Sequence, residues 1–292
     1  MPDCEQAATV FVFPGHGSQR RRMGEALFDT IPEFSLLESS IDELLGYSIR
    51  RLCLEDPENR LKSTEYAHPA LYVVNALQYY KAIREGERPA YLAGHSLGEY
   101  NALLAAGVFD LITGLQLVKR RSELIASANS GSMAAIVGLD PLRIAELLRA
   151  KEHSRLDVAY YNSPSQTVVA GPSTEIRRAG AGFEKAGAHL YLPLDVGIAF
   201  HSRYLQRAAE AFGEFMVPFR FSSPDPPVIA NVTAGPYPQG SPQGVKVLLE
   251  KHITHPVDWL GTVRYLMGVG ATLFKEIGPG DALARLHHQF CH

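Results

Sequence analysis

Cysteine is scarce in this chain. Cys4, Cys53 and Cys291 are its three among 292 residues, too few and too far apart for a disulfide framework, and they form no CxxC or Cys/His metal pattern. That usage points to a reducing, cytoplasmic setting. No run of about 18 apolar residues is present to cross a membrane. The opening MPDCEQAATVFVFPG has neither the basic start nor the long apolar stretch of a secretion signal. A net charge of -3 leaves no basic surplus for nucleic acid or an anionic membrane surface. What is present is ordinary for a globular chain, 46% apolar and 20% charged, and 292 residues can bury a large core. Asn231-Val232-Thr233 matches a glycosylation acceptor but has no chemical consequence in a cytosolic chain.

Periodicity and breakers lay out an α/β chain. TVFVF (9–13) reads as a buried strand, stopped by the glycine-rich turn Pro14-Gly15-His16-Gly17-Ser18, with a helix expected near 22–28. His68-Pro69 opens a helix to residue 83, the proline in its first turn, where a missing N–H does no harm. A short strand (90–93) then runs into Ser96 and a helix to residue 104, and another helix spans 115–126. From residue 131 the order becomes strand, helix, strand, strand, helix, strand: MAAIVGL, PLRIAELLRA, LDVAYYN, QTVVAG, TEIRRAGAGFEKAG, AHLYLPL. This is the order of a ferredoxin-like unit, 131–195, inserted in a larger α/β domain. Beyond it come helix 203–215, a proline-rich loop (223–227), strand VIANVTA, helices 245–252 and 256–267, and strand ATLFKE ending in a turn.

Gly94-His95-Ser96-Leu97-Gly98, between a strand and a helix, has the form of a nucleophile elbow. Glycines allow the sharp turn, the hydroxyl is exposed at a helix N-terminus, and the Leu97 N–H faces a developing oxyanion. The alternative is an ordinary strand-to-helix turn with Ser96 as its cap. Eleven histidines could serve as base. His201, between an apolar segment and a helix start, is the sharpest candidate; a capping or surface histidine is the competing reading. His95 adjoins the serine, but neighbours on a tight turn point apart, so it reads as a support.

In the helix of residues 115–126, Leu117, Val118, Leu124 and Ile125 form one stripe with Arg121 near its centre, while Lys119, Arg120, Ser122 and Glu123 fall on the other face. An inward arginine is costly unless paired. Either it meets an internal carboxylate or it awaits an anionic ligand, and a guanidinium fork matches a carboxylate with two hydrogen bonds. Arg20, Arg21 and Arg22 read as a solvated charge run.

Six stretches in register, FPGHGSQ (13–19), GHSLGEY (94–100), LVKRRSEL (117–124), YNSPSQTVVAG (161–171), AFHS (199–202) and EIGPG (276–280), resemble the malonyl-CoA:acyl carrier protein transacylase family across nearly the whole chain. Within it, LGYSIRRLCLEDPENRL (45–61) and HPALYVVNALQYY (68–80) resemble the free-standing, trans-acting acyltransferases of modular polyketide synthases, such as that of disorazole synthesis. The resemblance implies an α/β-hydrolase-like large subdomain (1–130 and 196–292) carrying an inserted ferredoxin-like small subdomain (131–195), with the site between them. It implies Ser96 as the acylated nucleophile, His201 as its base, and the N–H groups of His16 and Leu97 as the oxyanion hole. Arg121 would hold the malonate carboxylate, and Phe200 would fill the space an α-methyl group needs. The family usually continues past EIGPG by a helix and a tail.

Three positions depart from the family pattern: His16, His68 and His252 stand where glutamines are usual. For His16 and His252 the role rests on backbone atoms; His68 lines the substrate, and three imidazoles near one serine bear on the pH profile and on water entry. No metal is expected, since no carboxylate or cysteine joins them at ligand spacing. The implied reaction is ping-pong transfer of malonyl from malonyl-CoA to the phosphopantetheine thiol of an acyl carrier protein, with no bound cofactor, no nucleic acid and no membrane, by a cytoplasmic monomer. Two alternatives stand beside it: an acyl hydrolase that clears carrier proteins with the same Ser/His pair, and a catalytically silent docking module.

Overall fold

The computed structural model describes residues 8–128, 131–149 and 153–290; Cys4 and Cys291 lie outside them. In chain order the elements are β1 (Ala8–Phe13), α1 (Pro32–Leu45), α2 (Ile49–Leu54), α3 (Thr64–Arg84), β2 (Tyr91–Gly94), α4 (Gly98–Ala105) and α5 (Leu111–Ser127). Then come β3 (Ser132–Val137), α6 (Pro141–Arg149), β4 (Asp157–Ser163), β5 (Gln166–Gly171), α7 (Ser173–Lys185) and β6 (Leu190–Leu194). The chain closes with α8 (Gln206–Met216), β7 (Val228–Ala230), β8 (Gly235–Pro236), α9 (Pro242–Lys251), β9 (Val257–Asp258), α10 (Trp259–Gly268), β10 (Ala271–Glu276) and α11 (Ala282–His287).

Two sheets organise these elements. The first has the order β10-β1-β2-β7-β8, parallel except for the short antiparallel β8. A central parallel strand is covered on both faces, which is why β1 reads as unbroken apolar sequence. Val10 and Val12 pack into one buried cluster with Trp259, while Phe11 and Phe13 point into the other with Leu97 and Phe200. The second sheet, β6-β3-β5-β4, is antiparallel, its strands connected in the β-α-β-β-α-β order that the sequence shows. Its far edge carries β9, a two-residue strand that returns from late in the chain and pairs parallel to β4. The fold is therefore α/β with a large layer and a small ferredoxin-like one, and a late segment ties the small sheet to the rest.

Several local expectations change. Residues 21–30 form successive turns rather than a helix over 22–28, because the backbone takes positive φ at both Arg22 (65°) and Gly24 (78°). α3 begins at Thr64, so Pro69 lies inside the helix and not in its first turn. Strand β7 stops at Ala230, where Asn231 turns inward; the expected helix over 256–267 opens as β9, and α10 starts only at Trp259, capped by the Asp258 side chain on the Gly261 N–H. α5 starts four residues earlier than expected, at the Asp110 cap. Ser122 on it is fully buried rather than turned outward, so the buried face is broader than the apolar stripe. Arg20, Arg21 and Arg22 are exposed. Among the described residues no helix is long and apolar enough to cross a membrane.

Candidate active site

The Ser96 turn joins β2 to α4, and its sharpness comes from atoms that leave no room for side chains. A methyl group on Gly94 would lie 2.0 Å from the Gly98 carbonyl carbon, and one on Gly98 would lie 2.0 Å from the Phe13 carbonyl oxygen. Ser96 itself takes a left-handed backbone conformation, φ 51°, which a residue with a Cβ adopts only when its surroundings impose it. Asn231 imposes it. Its Oδ1 accepts the Ser96 N–H at 2.8 Å, and its Nδ2 donates to the Gly94 carbonyl at 2.6 Å.

His201 meets this serine from the segment between β6 and α8, and it too has positive φ, 53°. The Ser96 hydroxyl donates to His201 Nε2 at 2.7 Å, and His201 Nδ1 lies 2.7 Å from the His252 carbonyl oxygen. A carbonyl oxygen only accepts, so Nδ1 carries the proton and Nε2 keeps the lone pair that a base needs. Both residues are nearly closed to solvent, Ser96 4% and His201 1% exposed. Burial, then the charge of Arg121, lowers the His201 pKa to about 3, against a smaller raising effect of the His252 carbonyl.

The 14–16 turn packs against the elbow at Leu97. A methyl group on Gly15 would lie 3.4 Å from the Leu97 nitrogen, so the 14–16 turn presses directly on the elbow. Asn75 fixes that turn by donating to the Pro14 carbonyl at 3.1 Å. Among the described residues, neither the His16 nor the Leu97 N–H is taken up by an internal acceptor. The His16 and His68 rings and Phe200 pack against one another, with centroids 5.3 Å (His16 and His68), 5.7 Å (His16 and Phe200) and 6.1 Å (His68 and Phe200) apart. Burial, then the Arg121 charge, lowers the His16 pKa to about 4; burial, then the neighbouring His16, holds His68 well below its usual value. Both rings are neutral at neutral pH.

Arg121 is fully buried on α5. Of the two readings open from sequence, the internal carboxylate is the one the structure rejects: among the described residues no Asp or Glu lies within ion-pair distance. Its guanidinium sits 5.6 Å from the Tyr100 ring centre, and Nη1 is 3.4 Å from His68 Nδ1. Glu99 is buried near by, but its Oε2 accepts the Asn231 N–H at 3.2 Å and its Oε1 the Tyr237 hydroxyl. Burial raises the Glu99 pKa to about 8, against the opposing pull of its hydrogen bonds and of the Arg121 charge, so at pH 7 it is mostly protonated and offsets little of that charge. A wall of contacts, Arg121 to His68 to Phe200, leads to His201.

His95 turns away from the serine. Its Nε2–H donates to Asn162 Oδ1 at 2.8 Å, and its ring lies between Tyr160 and Trp259 at 5.0 and 5.6 Å. The His252 ring packs at 4.9 Å from that of His201, with Nε2 3.6 Å from Glu99 Oε2. Among the described residues no group of three His, Cys, Asp or Glu side chains is disposed to hold a metal ion. Sequence reasoning missed Asn231, Glu99, Asn162 and Tyr160. Asn231 had a signal in the Asn-Val-Thr pattern that the sequence reading set aside, and it is fully buried.

A buried, hydrogen-bonded Ser–His pair and a buried arginine without a carboxylate partner among the described residues suit acyl transfer from carboxylate-bearing groups. The comparisons agree: residues 10–288 match the family described as "Acyl transferase domain", and the chain belongs to it. It is 48% identical over 282 residues to the polyketide biosynthesis malonyl CoA-acyl carrier protein transacylase PksC of Bacillus subtilis, covering 96% of each chain. Among solved structures it is similar to a malonyl CoA-acyl carrier protein transacylase from Burkholderia pseudomallei, with TM-score 0.91, 46% identity and 98% of each chain covered. It is also similar to a malonyl-transacylase solved in complex with its type II polyketide synthase acyl-carrier protein, with TM-score 0.91, 31% identity, and 97% of this chain and 93% of that one covered.

Proposed function

We propose that this chain moves malonyl from malonyl-CoA to the phosphopantetheine thiol of an acyl carrier protein in polyketide synthesis, acting in trans, in the cytoplasm and without a bound cofactor. The observation that carries this reading is Arg121: a fully buried guanidinium with no carboxylate partner among the described residues, close enough to a hydrogen-bonded Ser–His pair for its charge to act on His201. Such a charge is too costly to bury without a purpose, and an acyl group ending in a carboxylate supplies the partner when it binds.

The steps follow from the geometry. His201 Nε2 takes the Ser96 proton as Oγ attacks the thioester carbon. The N–H groups of His16 and Leu97 receive the oxyanion, and the proton returns to CoA sulfur as the C–S bond breaks. The malonyl-serine ester then meets the carrier thiol and the same steps run in reverse. No third carboxylate is needed, because the His252 carbonyl orients His201. His68 and Phe200 line the acyl pocket, and His95 supports the elbow through Asn162. Residues 131–195 form the small subdomain in this reading, with 1–130 and 196–292 as the large one.

The hydrolase alternative gains no support from the relatives, which carry transacylase names, and a docking module has no use for a serine 2.7 Å from a tautomer-fixed histidine. Intact-protein mass spectrometry after exposure to malonyl-CoA tests the proposal. Wild type should gain one malonyl group that leaves on addition of carrier protein, and Ser96→Ala should gain none. An adduct that persists in Ser96→Ala would refute the assignment.

A further inference from the structure

Tyr160 lies against His201 of the reacting pair, and neither the sequence motifs nor the transfer mechanism accounts for it. It comes from β4, whose pairing with β5 slips twice: Val158 pairs with Val169 but Tyr160 with Val168, and Tyr161 pairs with Thr167 but Ser163 with Gln166. Ala159 and Asn162 are thus extra residues, and such bulges re-aim side chains. In an unbroken strand Ala159 and Tyr160 would face opposite ways. Here both pack against the core that holds Leu97, Phe200 and Ile198, and Tyr160 also touches the cluster around Trp259. The second bulge sends Asn162 to the His95 ring. The small sheet therefore reaches His95 and His201, on either side of the nucleophile, through one doubly bulged strand.

The Tyr160 ring meets His201 edge-on, centroids 5.3 Å apart at 63°, and meets His95 on another side at 5.0 Å. The charge of Arg121 also acts on it. An acyl-serine has two fates. Its ester carbon accepts a thiol, giving the thioester and Ser96–OH, or water, giving free malonate and Ser96–OH; in either case His201 Nε2 takes the nucleophile's proton and returns it to Oγ. Water outnumbers any carrier thiol, so a transferase must disfavour it. A water poised for attack needs two or more hydrogen-bond partners to hold it, whereas a thiol is delivered by its own arm. The ring carbons that meet His201 occupy volume there and, unlike the phenol O–H, offer a waiting water no hydrogen-bond partner.

We propose that Tyr160 is the water seal of the acyl-enzyme, a specificity-determining residue whose ring sets the ratio of transfer to hydrolysis. The inference rests on the malonyl-transfer reading above, and the test separates the two. Wild type, Tyr160→Phe, Tyr160→Leu and Tyr160→Ala are loaded with malonyl-CoA. The adduct at Ser96 is confirmed by mass, and malonate release without carrier protein is timed against transfer on its addition. Tyr160→Phe should match wild type; Tyr160→Ala should release malonate roughly tenfold faster relative to transfer, because expelled water is readmitted. Tyr160→Leu, which keeps apolar bulk and guards against misfolding of the alanine variant, should fall between. Loading with unchanged ratios in the alanine and leucine variants overturns the seal and leaves the function intact. Tyr160→Phe leaking as much as Tyr160→Ala overturns the role of the ring. Failure of wild type to load sinks both proposals.

Discussion

At the scale of single residues, Arg121 and His201 oppose each other. Both are buried, and the guanidinium charge is the second cause, after burial, of a His201 pKa near 3. A base that weak takes a serine proton poorly. When a malonyl carboxylate settles on Arg121 the charge is cancelled and the imidazole regains basicity, so the substrate's acid group helps to prepare its own attack. An acetyl group does not. Arg121→Ala should therefore cut kcat/KM for malonyl-CoA by roughly a hundredfold or more, the loss of a charge-assisted buried contact of about 3 kcal/mol, and spare or improve acetyl transfer. The sign in pH is also set. kcat/KM reports the free enzyme, and removing the positive charge raises the free His201 pKa, so the acid limb for acetyl-CoA should move to higher pH. Equal loss for both acyl groups would defeat the carboxylate role, and a stationary acid limb would defeat the coupling.

At the scale of elements, the elbow is three backbones in contact, and Gly98 is where β1, β2 and α4 meet. An added methyl there collides with the Phe13 carbonyl, which cannot yield without shifting the first sheet. Gly98→Ala should cost about 3 kcal/mol or more, read as a lower denaturant midpoint, and should abolish malonyl loading in whatever fraction stays folded. The elbow was legible from sequence because its geometry is local: strand, two glycines, a serine and a helix within a dozen residues. The β-α-β-β-α-β order was legible for the same reason. Asn162 and the role of Asn231 were not, since both act on the elbow from distant points in the chain through one or two hydrogen bonds that no periodicity announces, and Glu99, only three residues past Ser96, draws its meaning from partners at 231 and 237. The turns over 21–30 were misread because a helical spacing of apolar residues, Met23, Leu27 and Phe28, says nothing of the positive φ at Arg22. The β4 bulges were illegible too, since a strand's alternation shows which residues face the core only while its register holds.

At the scale of the whole molecule, the site concentrates neutral imidazoles in a dry interior. Burial is the first cause holding His16, His68, His95, His201 and His252 below the ordinary value of 6.5. Unfolding returns each to that value. Below pH 6.5 the unfolded chain binds protons that the folded one refuses, so each ring's contribution is present above 6.5 and is lost as pH falls toward its folded value, about 4 for His16 and about 3 for His201. Glu99 pulls the other way. Folded, it keeps its proton up to about 8, unfolded it loses it near 4.5, and its contribution declines as pH rises between them. One carboxyl is outnumbered, and each excess proton is worth about 1.4 kcal/mol per pH unit. Tm should therefore fall steeply from pH 6.5 toward 4.5, with net proton uptake on unfolding at pH 5 when calorimetry is repeated in buffers of different ionisation enthalpy. Replacing His16, His68 and His252 together by glutamine removes three of those rings while keeping polar side chains of similar length. The variant should lose stability more gently with acid than wild type, and parallel Tm curves for the two proteins would show that the buried imidazoles do not govern acid unfolding.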